Sequence, residues 1–294
     1  MCAVLFLLAV LSIPAEAENR QTKEVLSCET MERALELSLA AQGQENAPSW
    51  LELLALAAAY GEGVPSPVHV VHVCYARTEG KTAEEILNGD ASAYRYWLDA
   101  YETALGGIVG NYTELADGEW KECCGVKGCF PIADGYWYTY SDAGASECVM
   151  VGLPGTPVVA VEAGEVESMG WDRYSGWQIT IRSADGRRRC RYSCLRTEMP
   201  YASGIRQGIR VEPGQVIGFM GQSGTTAGKR AEMDASGYLC FEVQKIGGRK
   251  RNSAGMGQWF DVSELVRLLA CSRSAVVCEQ PPGTWSALHP RVSG

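Results

Sequence analysis

Histidine is almost missing from this sequence. There are three in 294 residues, at His69, His72 and His289, and none between residues 73 and 288. Over that span no imidazole is available to hold a metal, shuttle a proton or depress a thiol pKa. No Cys-x-x-Cys occurs either, which removes the thioredoxin-like redox signature. Positive charge is also short: the formal net charge is −9. A nucleic-acid or anionic-membrane binder needs a basic surface to neutralise phosphate, so both classes are excluded. The one basic cluster, Arg187, Arg188, Arg189 and Arg191, reads as a solvated hairpin edge. After the N-terminal segment no apolar run is long enough to span a bilayer.

What is present is globular: 46% hydrophobic and 21% charged residues. The chain opens "MCAVLFLLAVLSIPAEAEN", an apolar run ending in Ala15-Glu16-Ala17, the small-x-small form of a signal-peptidase site. It lacks the usual basic start, yet residues 1–17 read as an export signal. Of twelve cysteines, removing Cys2 with that signal leaves eleven, an odd number that cannot all pair within the chain. "CCGVKGC" at residues 123–129 lacks the second spaced pair or the histidines that a zinc knuckle needs.

Residues 18–115 read as a small helical domain. "ETMERALELSLAAQ" aligns Met31, Ala34, Leu35 and Leu39 in one stripe. Ser49 is placed to cap "WLELLALAAAY", Thr82 and Glu85 have capping-box form, and Asp90 precedes a longer helix ended by Gly106 and Gly107. Between them "PSPVHVVHVCYAR" carries His69, His72 and Cys74. The Val-rich run favours a strand, which would put the two histidines on opposite faces, so packing is expected rather than metal binding. Residues 116–130 read as a linker and 271–294 as a peripheral tail.

From residue 131 to 270 the pattern changes to short alternating runs with glycine turns. "TPVVAVEAGEVESMGW" gives two strands, "GWQITIRSADGRRRCRYSCL" a hairpin turning on Asp185-Gly186, and "VEPGQVIGFMG" another strand. "WFDVSELVRLLA" closes with a short helix. The fold class is therefore α+β, a helical N-terminal domain followed by an antiparallel all-β domain. In "GYLCFEV", Tyr238, Cys240 and Glu242 share one strand face, where chemistry-bearing side chains stand in a row.

"GTPVVAVEAGEVESMGW", "GWQITIRSADG", "VEPGQVIGFMGQSG" and "YLCFEV", in that order, resemble the M23 (LytM-type, lysostaphin-like) peptidoglycan endopeptidases. In that family zinc is held by a His-x-x-x-Asp pair and the second His of His-x-His, with two further histidines assisting. The resemblance carried over residue by residue puts Tyr238 and Cys240 where the His-x-His histidines stand. It puts Cys194, in "YSCL", at the third histidine, and Ala145 and Val149 at the His-x-x-x-Asp positions. It implies a degenerate member, without zinc or any other cofactor and not a working enzyme.

The resemblance leaves three fates for the cysteines nearby. Cys194 and Cys240 face one groove in the family, Cys190 shares a strand face with Cys194, and Cys148 sits at the groove entrance. A Cys194–Cys240 disulfide, a thiolate zinc site of Cys148, Cys194 and Cys240, or half-buried thiols each fit. Trp171, Tyr174 and Trp177 are candidate rim aromatics for a sugar or a partner side chain, or turn packing. Glu242 matches a structural glutamate. The implied function is an exported or envelope-associated module binding peptidoglycan or an envelope protein. The alternative is an active zinc endopeptidase with a rewired, cysteine-containing site.

Overall fold

The computed structural model describes residues 25–141, 147–224, 236–246, 259–279 and 283–293. The leader read at residues 1–17, and Ala145, lie outside them. Helix α1 (Cys28–Ala40) starts at the N-cap Ser27, whose hydroxyl accepts from the Thr30 amide. Helix α2 (Trp50–Tyr60) starts with a full capping box: Ser49 accepts from the Glu52 amide, and Glu52 accepts from the Ser49 amide. Replacing Ser49 with Ala strands one of those donors. A loss of about 0.5–2 kcal/mol is expected, with Gly at the same position costing only a few tenths, as read by thermal unfolding of both variants.

The Val-rich run is a helix, α3 (Pro67–Thr78), and not the strand its β-branched residues suggest. Ser66 caps it and Pro67 takes the first turn, where a missing N–H is harmless. Helical spacing then buries Val70, Val73, Cys74 and Ala76 and leaves Val68, Val71 and Tyr75 exposed. Tertiary packing of that stripe outweighs the local strand preference. A short α4 (Ala83–Ile86) follows from the Thr82–Glu85 capping box. Helix α5 (Ser92–Leu105) has its first amide held by the Asp90 carboxylate at 2.8 Å.

The stretch read as a linker is mostly a hairpin. Strands β1 (Val109–Ala116) and β2 (Glu119–Val126) turn on Asp117-Gly118, both at positive φ, the geometry a two-residue hairpin requires.

Next come β3 (Tyr138–Ser141), β4 (Glu147–Gly152), β5 (Pro157–Val159), β6 (Gly164–Asp172), β7 (Gly176–Ser183) and β8 (Arg188–Leu195). They are followed by β9 (Arg210–Val211), β10 (Val216–Phe219), β11 (Gly237–Lys245) and helix α6 (Val262–Leu269). Seven strands form one antiparallel sheet in the order β3-β4-β11-β8-β7-β6-β9, and β10 pairs with β5. The tail is tied in more than a peripheral segment would be. It forms β12 (Val276–Cys278), β13 (Trp285–Ala287) and β14 (Arg291–Ser293), and β14 completes the sheet of β1 and β2.

Helices and sheet share one continuous core. Trp259 stands edge-on to Trp97 and Tyr101 of α5, at centroid distances of 5.8 and 5.0 Å. Its carbonyl accepts from the Leu26 amide at 2.8 Å, and Glu264 of α6 accepts from the Cys28 amide at 2.8 Å. The β7–β8 hairpin docks under α5 through the arginine cluster, which is not a solvated edge. Arg188 is 1% exposed, donating to Glu162 and Asp185 and to the Thr103 carbonyl at 3.4 Å. Arg187 pairs with Asp99 and Glu102, Arg189 with Glu167, and Arg191 with Glu242. Each arginine meets a carboxylate, so clustered charge here joins elements. Among the described residues no helix is long and apolar enough to cross a membrane.

Candidate functional site

Strand β11 lies between β4 and β8, so its side chains face whatever those two strands offer. Cys240 sits opposite Val149 on β4 and Ser193 on β8, and Tyr238 sits opposite Val151. Directly opposed residues share a face. Val149, Cys194, Tyr238 and Cys240 accordingly form one small buried cluster, separate from the main core that takes Leu239, Phe241 and Val243. The face that looked wetter in the sequence is closed: Tyr238 and Cys240 are each 5% exposed. Glu242, further along, bonds Arg191 directly across the ladder, which accounts for it structurally.

Regular alternation would turn Cys194 away from this cluster, because its neighbour Ser193 is the residue opposite Cys240. A β-bulge intervenes. Trp177 pairs with Leu195 and Ile179 with Tyr192, so two steps on β7 span three on β8. Cys194 takes a positive φ of 65°, unusual for a residue with a Cβ. The bulge re-aims the side chain and brings its Sγ to 3.1 Å from the Cys240 Sγ. It also parts Cys194 from Cys190, which lies in the main core and donates to Glu162 at 3.2 Å.

The turn after β6 supports the bulge. The Cys194 amide donates to the Ser175 carbonyl at 2.9 Å. Ser223 donates to the Leu195 carbonyl and accepts from the Trp177 amide at 2.9 Å. Gly176, at φ +70°, leaves room for this approach, since a Cβ there would stand 2.2 Å from the Ser223 Oγ. Trp171 and Trp177 are opposed on the same hairpin with rings 5.9 Å apart, and Trp177 meets Tyr201 at 6.1 Å. Trp171 and Tyr174 are 55% and 67% exposed, while Trp177 is half-buried. The three aromatics thus divide into two presented rings and one packed against the sheet.

Cys148 does not join the cluster. It lies on β4 with its side chain in the main core, one residue from Val149 and therefore on the other face. Its thiol, near Ser263 and Asp261, is pushed up to about 11 by burial. A site using Cys148, Cys194 and Cys240 together is accordingly not assembled. His69 and His72 stand far along the chain on α3, where His69 meets Tyr60 edge-on at a centroid distance of 6.0 Å and His72 stacks on it at 4.6 Å.

The donor set does not fit the zinc of the resembled family. Where two imidazole ligands, a carboxylate ligand and two assisting histidines would converge, the described positions offer the Val149 isopropyl group and Cys240 thiol in place of ligands, and the Tyr238 phenol and Cys194 thiol in place of the assisting histidines. Among the described residues no three His, Cys, Asp or Glu side chains are grouped to hold a metal. Two thiolates on a tetrahedral zinc at about 2.3 Å would sit about 3.8 Å apart, wider than the sulfur spacing here. Burial raises the pKa of Cys74, Cys129 and Cys190, which disfavours thiolate at these three positions.

A cavity of about 410 Å³ lies at the opposite end of β7 from Cys194, lined by Glu165, Arg182, Asp185 and Arg210 among others. None of the residues lining it belongs to the cluster.

The molecule is thus an α+β protein whose antiparallel β domain carries a closed polar–thiol cluster at the centre of its sheet. Residues 146–253 of that domain match the family model described as Peptidase family M23. The L-Ala--D-Glu endopeptidase of Bacillus subtilis (strain 168) is 43% identical over 79 residues, covering 26% of this chain and 23% of that protein. The chain therefore spans less than a quarter of the length of that curated relative. Among solved structures, a Ruminococcus gnavus ATCC 29149 protein described as a glycyl-glycine endopeptidase, LytM, is similar at 16% identity. That match covers 86% of this chain and 94% of the other, with a TM-score of 0.46. The catalytic domain of lysostaphin from Staphylococcus simulans is similar at 20% identity over 46% of this chain and 94% of that domain, with a TM-score of 0.33.

Proposed function

We propose that this chain is an exported or envelope-associated, non-catalytic M23-type module that binds peptidoglycan or an envelope protein and regulates a working hydrolase. The observation that carries the reading is the buried cluster of Val149, Cys194, Tyr238 and Cys240, standing where the resemblance puts metal ligands and assisting histidines. Peptide hydrolysis on this fold needs a Lewis acid to generate hydroxide near neutral pH and to stabilise the oxyanion. A buried cluster of thiols, phenol and isopropyl offers neither an imidazole nor a carboxylate of its own to act as general base or zinc ligand.

Binding makes fewer demands. Trp171 and Tyr174 present ring faces beside the turn that supports Cys194, and rings of this kind take sugar faces or partner side chains. The test is co-sedimentation with purified insoluble peptidoglycan. The wild-type chain is expected to pellet with the wall, and Trp171→Ala and Tyr174→Ala are each expected to weaken pelleting by roughly fivefold or more. Undiminished pelleting of both variants would remove the rim from the binding surface. A wild-type chain that stays in the supernatant would exclude the wall and leave the envelope protein as the ligand.

A further inference from the structure

We propose that Cys194 and Cys240 form an intrachain disulfide that staples β8 to β11 at the centre of the sheet. Three observations converge on this pair. Their sulfurs stand 3.1 Å apart, closer than the roughly 3.5–4.0 Å of ordinary nonbonded contact. The two residues are on hydrogen-bonded neighbouring strands one position out of direct register, with Cys240 opposite Ser193. A disulfide asks for Cα atoms about 4.4–6.8 Å apart, and paired strands lie about 4.7–4.9 Å from one another. The third observation is the bulge. A left-handed residue bearing a Cβ costs about 1 kcal/mol or more of conformational strain, and here its effect is to turn one thiol onto the other. A merely packed small side chain at residue 194 needs no such turn.

The staple joins Cys240, at the position of a zinc ligand in the resembled family, to Cys194, at the position of an assisting histidine, so a cross-link stands where that family keeps part of its metal site. It differs in consequence. A closed disulfide has no open position, no exchangeable water and no charge, and it fixes the floor beneath the Trp171–Tyr174 turn through the Cys194 amide and Ser175 carbonyl.

The reaction balances as two successive exchanges with a disulfide donor, either a protein disulfide or glutathione disulfide. The thiolate of one cysteine attacks a donor sulfur, giving a mixed disulfide and releasing one donor thiolate. The second cysteine, losing its proton, attacks the protein-side sulfur, forms the Cys194–Cys240 bond and releases the second donor thiolate. The protein loses two electrons and two protons, and the donor gains them as two thiols.

The test does not depend on the export or binding reading. The full chain is refolded in a glutathione/glutathione disulfide buffer, so that burial does not block access, then alkylated and digested with trypsin without reduction. Cleavage puts Cys194 alone in Tyr192–Arg196 and Cys240 alone in Ala231–Lys245. The expected result is one linked species of these two peptides, 2 Da lighter than their sum and separating on reduction. Reducing the folded chain is expected to lower its thermal midpoint by roughly 10 °C, and to lower the Cys194→Ser/Cys240→Ser double variant by clearly less. Recovery of both peptides fully alkylated from correctly folded protein, or of either linked to a third cysteine, overturns the proposal. Because the peptide map uses the wild-type chain, it decides the matter even if the serine variant does not fold.

Discussion

Replacing Glu162 with Ala is expected to destabilise the chain by about 3–5 kcal/mol, the cost of leaving a buried guanidinium without its main counter-charge. Arg188 is 1% and Glu162 3% exposed, and Arg188 donates through Nε and Nη2 to the two Glu162 carboxylate oxygens. Burial alone would pull the Arg188 pKa down, yet the Glu162 charge and hydrogen bonds reverse that and raise it. The same guanidinium donates to the Thr103 carbonyl at the end of α5, so the loss falls where the helical region meets the sheet. Arg187→Ala is the contrast: its partners Asp99 and Glu102 are well exposed, and less than about 1 kcal/mol is expected. Urea unfolding of the two variants checks the pair, and equal midpoints would remove Arg188 as the fastener.

Acid should weaken the same joint. Although burial would raise the Asp185 pKa, the Ser183 hydroxyl, the Arg187 amide and Arg188 outweigh it and hold the carboxyl below the usual carboxylate range. Glu167 is held down by its bonds to Arg189. A depressed folded pKa means stability that is complete above the ordinary carboxylate pKa and is lost as pH falls through the folded value.

The second large effect is on chemistry. Digestion of peptidoglycan by the purified chain is expected to stay at the uncatalysed background at neutral pH, with or without excess zinc. Removing a single oxyanion-stabilising donor typically lowers a rate by about 10²–10³, and an unligated water keeps a pKa near that of bulk rather than about 7. Restoring Tyr238→His and Cys240→His together is expected to leave the rate at background too. Val149 still offers no carboxylate and Cys194 no imidazole, and elements of a catalytic unit do not act independently. Release of peptide fragments by the wild-type chain would contradict this.

Much of this was legible in the sequence, for local reasons. Ser49, Thr82 and Asp90 announce helix starts because their side chains satisfy amides within three residues. Asp185-Gly186 announces its hairpin by turn chemistry alone. What escaped depends on distant partners. The Pro67–Thr78 run reads as strand until the apolar stripe it packs with α2 is known. Arg188 reads as surface until Glu162, twenty-six residues upstream, is brought beside it. Within the site, the ordering of Tyr238 and Cys240 on one face follows from period two. The arrival of Cys194 does not, because a bulge shifts that period by one residue and no glycine marks it. Cys148, read at the groove entrance, instead lies on β4 with its side chain in the main core, because it alternates with Val149 along the strand.

Zinc content and peptidoglycan digestion, measured on one preparation of the folded chain, decide most directly whether this cluster is a metal centre. No stoichiometric zinc and no released peptide are expected. One zinc per chain, together with peptide release that disappears in Cys240→Ala, would contradict this and make the thiols of this cluster metal ligands.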